Sequence, residues 1–259
     1  MNNLQLPILI LFFASLFTSC TNEKVGWKFS RSLPIGAPKH GHNWVSSPTH
    51  PTRFGQFSQQ FLVKPGDCSR NNSGWSDCNS DRERAELLQT GEPNRQVEGD
   101  RYWYRWSILL PKTHRSIPKM RMYLGQFDQE GKNCEPSFMF QEIKGEYLLR
   151  IMPNISEETG NYQTLINNEN FIGKWNDIVI DAFWTKKNNG WFNVWINGEQ
   201  KVSYAGKTMS CDEVYFKYGI YRSRVSLGGE LSKSITTTAY YDGVIRSKTK
   251  KKMFMALDE

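Results

Sequence analysis

Little in this chain suggests a helical, membrane-crossing or nucleic-acid-binding protein. No stretch of 12 residues has a convincing amphipathic helical pattern, which argues against bundles and α/β folds. The apolar run of residues 6–17 is shorter than the ~20 residues that cross a bilayer. No internal repeat, long linker or recognisable nucleic-acid motif occurs, so nucleic acid is not an expected partner. Acidic residues are scarce relative to basic ones, 26 against 33, and the formal charge of +7 suits a polyanionic partner. A solvated basic surface with a flexible basic tail (Lys248, Lys250, Lys251 and Lys252) is the competing account of that charge. There are only five cysteines, and their spacings fit no structural zinc site. A calcium loop rich in Asp and Asn is also missing. Neither a metal nor a cofactor is therefore expected.

Aromatic residues, by contrast, are abundant at 14%. Short runs rich in β-branched and aromatic residues recur at regular spacing between turn signals. They predict strands over Gln56–Val63, Arg84–Leu88, Tyr102–Leu110, Met120–Gln126, Ser137–Ile143 and Tyr147–Met152. Further strands are predicted over Trp175–Trp184, Trp191–Ile196, Glu199–Tyr204, Val214–Tyr221 and Thr236–Ile245. Asn197-Gly198 is a strong hairpin signal and Lys144-Gly145 a second candidate. The expected fold is an all-β jelly-roll sandwich. Trp184, Trp191 and Trp195 fall at strand positions and read as packing residues, although an exposed indole beside a groove can stack on a sugar.

The ends divide the chain further. Residues 1–19 read as a signal peptide of the lipoprotein type, with Cys20 as the lipidated residue, although no Lys or Arg precedes the apolar run. Lipid attachment would anchor the protein to a membrane surface without spanning it, as an exported bacterial lipoprotein; plain secretion is the alternative. Residues 20–54 form a turn-rich segment broken by Pro34, Pro38, Pro48 and Pro51, residues 55–246 the β-domain, and residues 247–259 the basic tail. The other four cysteines suit an oxidising compartment. Cys68–Cys78 closes a short Gly/Asn/Ser-rich loop and is the expected pair, which leaves Cys134–Cys211.

Three segments stand out as chemistry. With period 2, Tyr215-Phe216-Lys217-Tyr218-Gly219-Ile220-Tyr221 puts Tyr215, Lys217, Gly219 and Tyr221 on one face and Phe216, Tyr218 and Ile220 on the other. Lys217 and Tyr221 would then stand about 13 Å apart, an ammonium and a phenol able to hold an anionic sugar and move a proton. Arg84 and Glu86 share a strand face with Leu87 opposite; Gln126 and Asp128 do likewise with Phe127 turned inward. Three such strands build a polar groove on an apolar support.

The order R-x-E-L, Q-x-(H), Y-F-K-x-G-x-Y, here Arg84-Ala85-Glu86-Leu87, Gln126-Phe127-Asp128 and Tyr215–Tyr221, resembles the jelly-roll polysaccharide lyases. The group includes alginate lyases, glucuronan lyases and heparin-lyase-I-like enzymes, and the resemblance runs from about Gly55 to Arg246. The stretches Asp81–Glu86 and Leu124–Gln129 look most like the glucuronan and heparin-lyase branch. It implies a concave substrate groove and β-elimination on a uronate polymer such as glucuronan, alginate or a heparin-like chain, by a protein expected to be monomeric. Arg84 and Gln126 would meet the uronate carboxylate, on which charge builds. Tyr221 would protonate the leaving oxygen, Lys217 and Arg222 would bind substrate, and Glu86 would orient Arg84 or Lys217.

Asp128 departs from the pattern, because many relatives carry His there. An aspartate, with an ordinary pKa of about 4, is a weak base at neutral pH. Three assignments stay open: Asp128 as a base adapted by burial, Tyr221 doing both proton transfers, or loss of catalysis with binding retained. A phenol whose pKa is lowered by Lys217 or Arg222 would suit the second. The four histidines His40, His42, His50 and His114 lie outside all three motifs; His40-Gly41-His42 would serve only by folding over the groove, and a surface role is expected. The E-x-D-x-x-E strand signature of jelly-roll glycoside hydrolases is absent, which sets that class aside.

Overall fold

A computed structural model describes residues 27–90, 95–131, 133–152 and 161–254. The expected leader, its Cys20 and the last residues of the basic tail lie outside the described residues. Two seven-stranded antiparallel sheets pack face to face, as expected for a jelly-roll sandwich. The first sheet has the order β1 (Lys28–Arg31), β4 (Arg82–Thr90), β13 (Glu213–Ser223), β6 (Arg121–Glu130), β7 (Phe138–Ile143), β8 (Glu146–Ile151) and β9 (Asn161–Ile166). The second runs β12 (Glu199–Gly206), β11 (Gly190–Ile196), β10 (Asn176–Phe183), β5 (Arg101–Leu109), β14 (Thr237–Ser247), β3 (Phe57–Val63) and β2 (His42–Ser46). Among the described residues, no α-helix exceeds the six residues of Gly229–Ser234.

Alternation explains the layering. The first sheet sends Ala85, Leu87, Leu124, Phe127, Phe216, Tyr218 and Ile220 inward; the second sends Phe61, Tyr104, Trp106, Ile180, Phe192 and Tyr241. Trp184 is fully buried among them. Trp191 and Trp195 lie on the outer face of the second sheet, stacked on Phe183 and Trp103. Both hairpin signals hold: Asn197-Gly198 and Lys144-Gly145 have positive φ at both residues (51° and 86°; 55° and 86°).

Three strands were not predicted, and each is an edge strand or short. β1 and β2 come from the turn-rich N-terminal segment, so the sandwich begins before residue 55. The prolines break that segment but leave room for strands of four and five residues. β9 is mostly exposed and carries no apolar alternation, since an edge strand needs only one ladder. The basic tail is not wholly free: Lys248 pairs with Asp100 at 2.7 Å, and Met253 is buried against Trp103. Both disulfides form as expected, Cys68–Cys78 and Cys134–Cys211.

A β-bulge sits in the centre of the first sheet. β13 pairs Tyr218 with Gly125 and Tyr221 with Tyr123, so Gly219 and Ile220 face Leu124 alone. Gly219 stands opposite Glu86, as period 2 places it. Its φ of 127°, however, would aim a Cβ at the Ala85 carbonyl (2.4 Å) and the Phe61 ring (2.7 Å). The buried Tyr241 hydroxyl lies within hydrogen-bond reach of the Leu124 and Gly219 carbonyls on the two bulged strands. This bulge sets the pairing of Tyr221 relative to Gln126. Gly219→Ala should therefore cost about 3 kcal/mol or more, from backbone strain and the clash together. An unchanged thermal midpoint for that variant would refute the constraint.

Candidate active site

The outer face of the first sheet forms the floor of a groove of about 910 Å³. β4 contributes Arg82 and Arg84, β6 contributes Tyr123, Gln126 and Asp128, and β13 contributes Tyr215, Lys217 and Tyr221. One wall carries Asn71 and Trp75 from the loop closed by Cys68–Cys78; the other is made by Gly131, Asn133, Cys134, Glu135 and Pro136. Cys134–Cys211 ties this second wall to the segment entering β13. The Gln129 carboxamide holds it as well, accepting from the Ser210 and Cys211 amides at 2.7 and 2.9 Å and donating to the Glu135 carbonyl at 2.6 Å.

Arg84 lies at the centre and is almost buried. Its Nε and Nη2 donate to the two oxygens of fully buried Asp77 at 2.6 and 2.8 Å, and its Nη1 to Glu86 at 3.1 Å. Burial alone would lower the pKa of this guanidinium, but Glu86 and Asp77 outweigh it and hold it above the ordinary arginine range. The other Glu86 oxygen accepts from Gln126 Nε2 at 2.6 Å. Glu86 thus holds Arg84 and Gln126 together, as a strut that orients Arg84.

Tyr221 lies over Arg84, with the guanidinium 4.2 Å from its ring centroid, and stacks on Tyr123 at 5.2 Å. Arg82 Nε donates to its hydroxyl. Burial raises the pKa of this phenol, while Arg84 and Arg82 pull it down, and burial prevails. The two cations acting on Tyr221 are therefore Arg84 and Arg82, not Lys217 and Arg222. Arg222 is not brought to the groove. Its side chain is buried, 3.3 Å from Glu83, and donates to the carbonyls of Ser232 and Ile235. As the residue after Tyr221 on a strand it must point to the opposite face.

Lys217 and Asp128 do share the groove floor. Lys217 Nζ meets Asp128 Oδ2 at 2.6 Å, and the Tyr215 hydroxyl donates to the same oxygen at 3.1 Å. Asp128 Oδ1 accepts the Gln129 amide at 2.9 Å. Burial would lower the lysine's pKa, but Asp128 and Glu86 reverse the sign and keep it charged. Each Asp128 oxygen is engaged by a donor within the protein. Among the described residues, no histidine lines the groove. His40 meets Asp67 (2.7 Å), His42 meets Gln59 (2.9 Å), His50 meets Tyr240 (3.3 Å) and His114 approaches Glu142 (3.6 Å).

Sequence reasoning missed Asp77, Arg82 and Trp75. Arg82 was within reach, because it precedes Arg84 by two and so shares its face. Asp77 and Trp75 belong to a loop, and no local pattern marks a loop carboxylate as the partner of a strand arginine. The charged groove-lining residues are Arg82, Arg84, Arg121, Arg150, Lys217 and Arg224 against Asp81, Asp128, Glu130 and Glu135, an excess of two cations that Asp77 and Glu86, buried against Arg84, offset.

Comparison with curated proteins gives no sequence match. Solved structures share the fold. An endo-β-1,4-glucuronan lyase from the fungus Trichoderma reesei superposes with a TM-score of 0.57 at 15% identity, over 87% of this chain and 97% of that one. An alginate lyase of polysaccharide lyase family 7 gives 0.55 at 16% identity, over 85% and 93%. An alginate lyase from Pseudomonas aeruginosa gives 0.50 at 16%, over 74% and 83%. At such identities these likenesses speak for the fold. The polysaccharide lyase family profile matches residues 38–245, spanning the groove and both disulfides, and the chain belongs to that family.

Proposed function

We propose that this lyase cleaves a uronate-containing polysaccharide by β-elimination, that Tyr221 carries both proton transfers, and that the protein is exported and lipid-anchored at Cys20. The observation that carries the mechanism is Arg82 donating to the Tyr221 oxygen while Arg84 lies under its ring. Two cations on one phenol offset part of the burial that disfavours its phenolate. The phenolate takes the C5 proton, the C4–O4 electron pair leaves with O4, and a C4=C5 double bond forms. The same phenol then returns the proton to O4, which regenerates the phenolate.

The remaining groups serve the carboxylate and its binding. Gln126 spends one of its two amide N–H groups on Glu86 and has the second for the uronate carboxylate. Arg84, held by Asp77 and Glu86, adds positive field from beneath rather than a free fork. Asp128 orients Lys217 on the groove floor, within reach of a bound uronate. Of the three assignments left open by the sequence, this supports the second. Family membership speaks against a purely binding protein. The net charge of +7 suits a polyanion, and the glucuronan lyase neighbour makes glucuronan the first polymer to try. The apolar run of residues 6–17 before Cys20 and the two disulfides support export.

The experiment is an ultraviolet assay for unsaturated uronide ends on glucuronan, alginates, heparin, heparan sulfate, hyaluronan and chondroitin, using protein that starts after Cys20. At least one polymer should give a rise. Tyr221→Phe should lower the rate by about 10³-fold or more and leave polymer binding largely intact, whereas Asp128→Asn should lose only about tenfold. The reverse order of losses would transfer the base to Asp128.

The pH profile gives a second check. Because burial raises the Tyr221 pKa, the rate should climb toward alkaline pH as the phenolate fraction grows. Arg82→Gln removes a cation that favours phenolate, so the rising limb should move to higher pH. A limb that stays in place would remove Tyr221 as the titrating base.

For the anchor, the full chain made in a bacterial host should partition into detergent, and Cys20→Ser should release it to the aqueous phase. Equal partitioning of the two would rule out lipid attachment at that residue.

A further inference from the structure

The groove has one large aromatic side chain that is openly exposed. Trp75 is 43% exposed and, of the exposed large hydrophobic residues described, it alone lines the groove. Tyr123 is buried, and Tyr215 and Tyr221 have their faces taken by the protein. Tyr221 lies between Arg84 and Tyr123, and Tyr215 has Arg95 at 4.9 Å and Lys217 at 5.3 Å. Trp75 has Arg82 on its ring, 5.0 Å from the centroid, and still presents surface to the groove.

An exposed indole on a mobile loop would mean little, but this loop is held. Cys68–Cys78 closes its base, Arg70 and Ser76 form an antiparallel bridge, and the Asn71 amide donates to the Trp75 carbonyl at 3.1 Å. The Trp75 amide returns a bond to Asn71 Oδ1 at 2.9 Å. Indole Nε1 donates to Asp77 Oδ1 at 3.3 Å, onto the carboxylate that clamps Arg84. The ring is therefore oriented before any ligand arrives, which cuts the ordering cost of binding. The protein core gains little from a side chain placed there.

We propose that Trp75 is a sugar-stacking platform which, with Arg82, forms a binding subsite for a uronate ring next to the ring on which Tyr221 acts. The apolar C–H face of a pyranose lies against the indole. Its carboxylate meets Arg82, which commits Nε to Tyr221 and Nη1 to the Ser80 carbonyl and has three further N–H groups. Arg82 then links the two positions: the guanidinium that receives one sugar also touches the phenol that reacts with its neighbour. This rests on the uronate-lyase reading, and the experiment separates the two.

Binding of a uronate hexasaccharide, prepared from the polymer that the native protein turns over fastest, is measured calorimetrically on the Tyr221→Phe protein with and without Trp75→Ala. Trp75→Ala should weaken binding about tenfold, close to 1.4 kcal/mol. In the otherwise native protein it should raise KM by a similar factor and lower kcat less than about threefold. Trp75→Phe, which keeps an aromatic face, should recover most of the affinity. Unchanged affinity in the double variant, with turnover by the native protein intact, would overturn the platform alone. A fall in kcat with KM unchanged would mean that Trp75 only props Arg82, and would overturn it too. Failure of the native protein to cleave any polymer, with no binding by Tyr221→Phe, would sink the lyase reading and the platform together.

Discussion

Arg84 brings a full positive charge to a site only 8% exposed, where an unpaired ion would lose several kcal/mol of hydration. Asp77 and Glu86 compensate it, and that requirement organises the groove. Glu86 must face Arg84 from two residues along the same strand, and its second oxygen then holds Gln126 on a strand two positions away. Asp77 must come up from the disulfide loop, so the loop is fastened to the sheet by the same cation. With the guanidinium plane fixed, Tyr221 has a flat charged surface to rest on. Removing one carboxylate would leave Arg84 a single ion pair and strand its remaining N–H groups in a buried site, which is costlier than losing a surface pair.

Much of this was legible from alternation. Arg84, Gln126, Asp128, Lys217 and Tyr221 all reach the groove, with Glu86 bonded to Arg84 and Gln126 on the same face, because strand side chains repeat every two residues and their apolar neighbours must turn inward. The same rule correctly applied excludes Arg222, which follows Tyr221 and joins Glu83 on the other face. Other features escaped it for physical reasons. Gly219 keeps its place in the register but has a φ that only the three-dimensional strand crossing requires. Asp77 and Trp75 lie outside any periodic element, so their partners are set by loop closure. β1, β2 and β9 bury little and so carry little pattern. The fold class needed only the recurrence of short strands; the details of the site needed long-range pairing.

Asp128 shows how a carboxylate on the groove floor can be neutralised from within the protein. An aspartate aimed at a polyanion would repel it. Here Lys217, the Tyr215 hydroxyl and the Gln129 amide surround the carboxylate, so its charge is spent inside the protein. Tyr221, proposed as the group that moves the proton, has Arg82 on its hydroxyl and Arg84 under its ring. Burial and the arginines act on that phenol in opposite directions, and burial prevails.

Arg84, Tyr221 and Gln126 stand on β4, β13 and β6, three strands adjacent in one sheet. Their separation across the groove is therefore counted in strand spacings, about 4.8 Å each, and is held by main-chain hydrogen bonds. Side chains on this floor can be exchanged without altering the gauge between them, whereas loop walls can move only where their disulfides allow. Changes of substrate in such a scaffold are consequently expected to collect in the walls and in single floor side chains. The distance between the strand that carries Arg84 and the strand that carries Gln126 stays constant throughout.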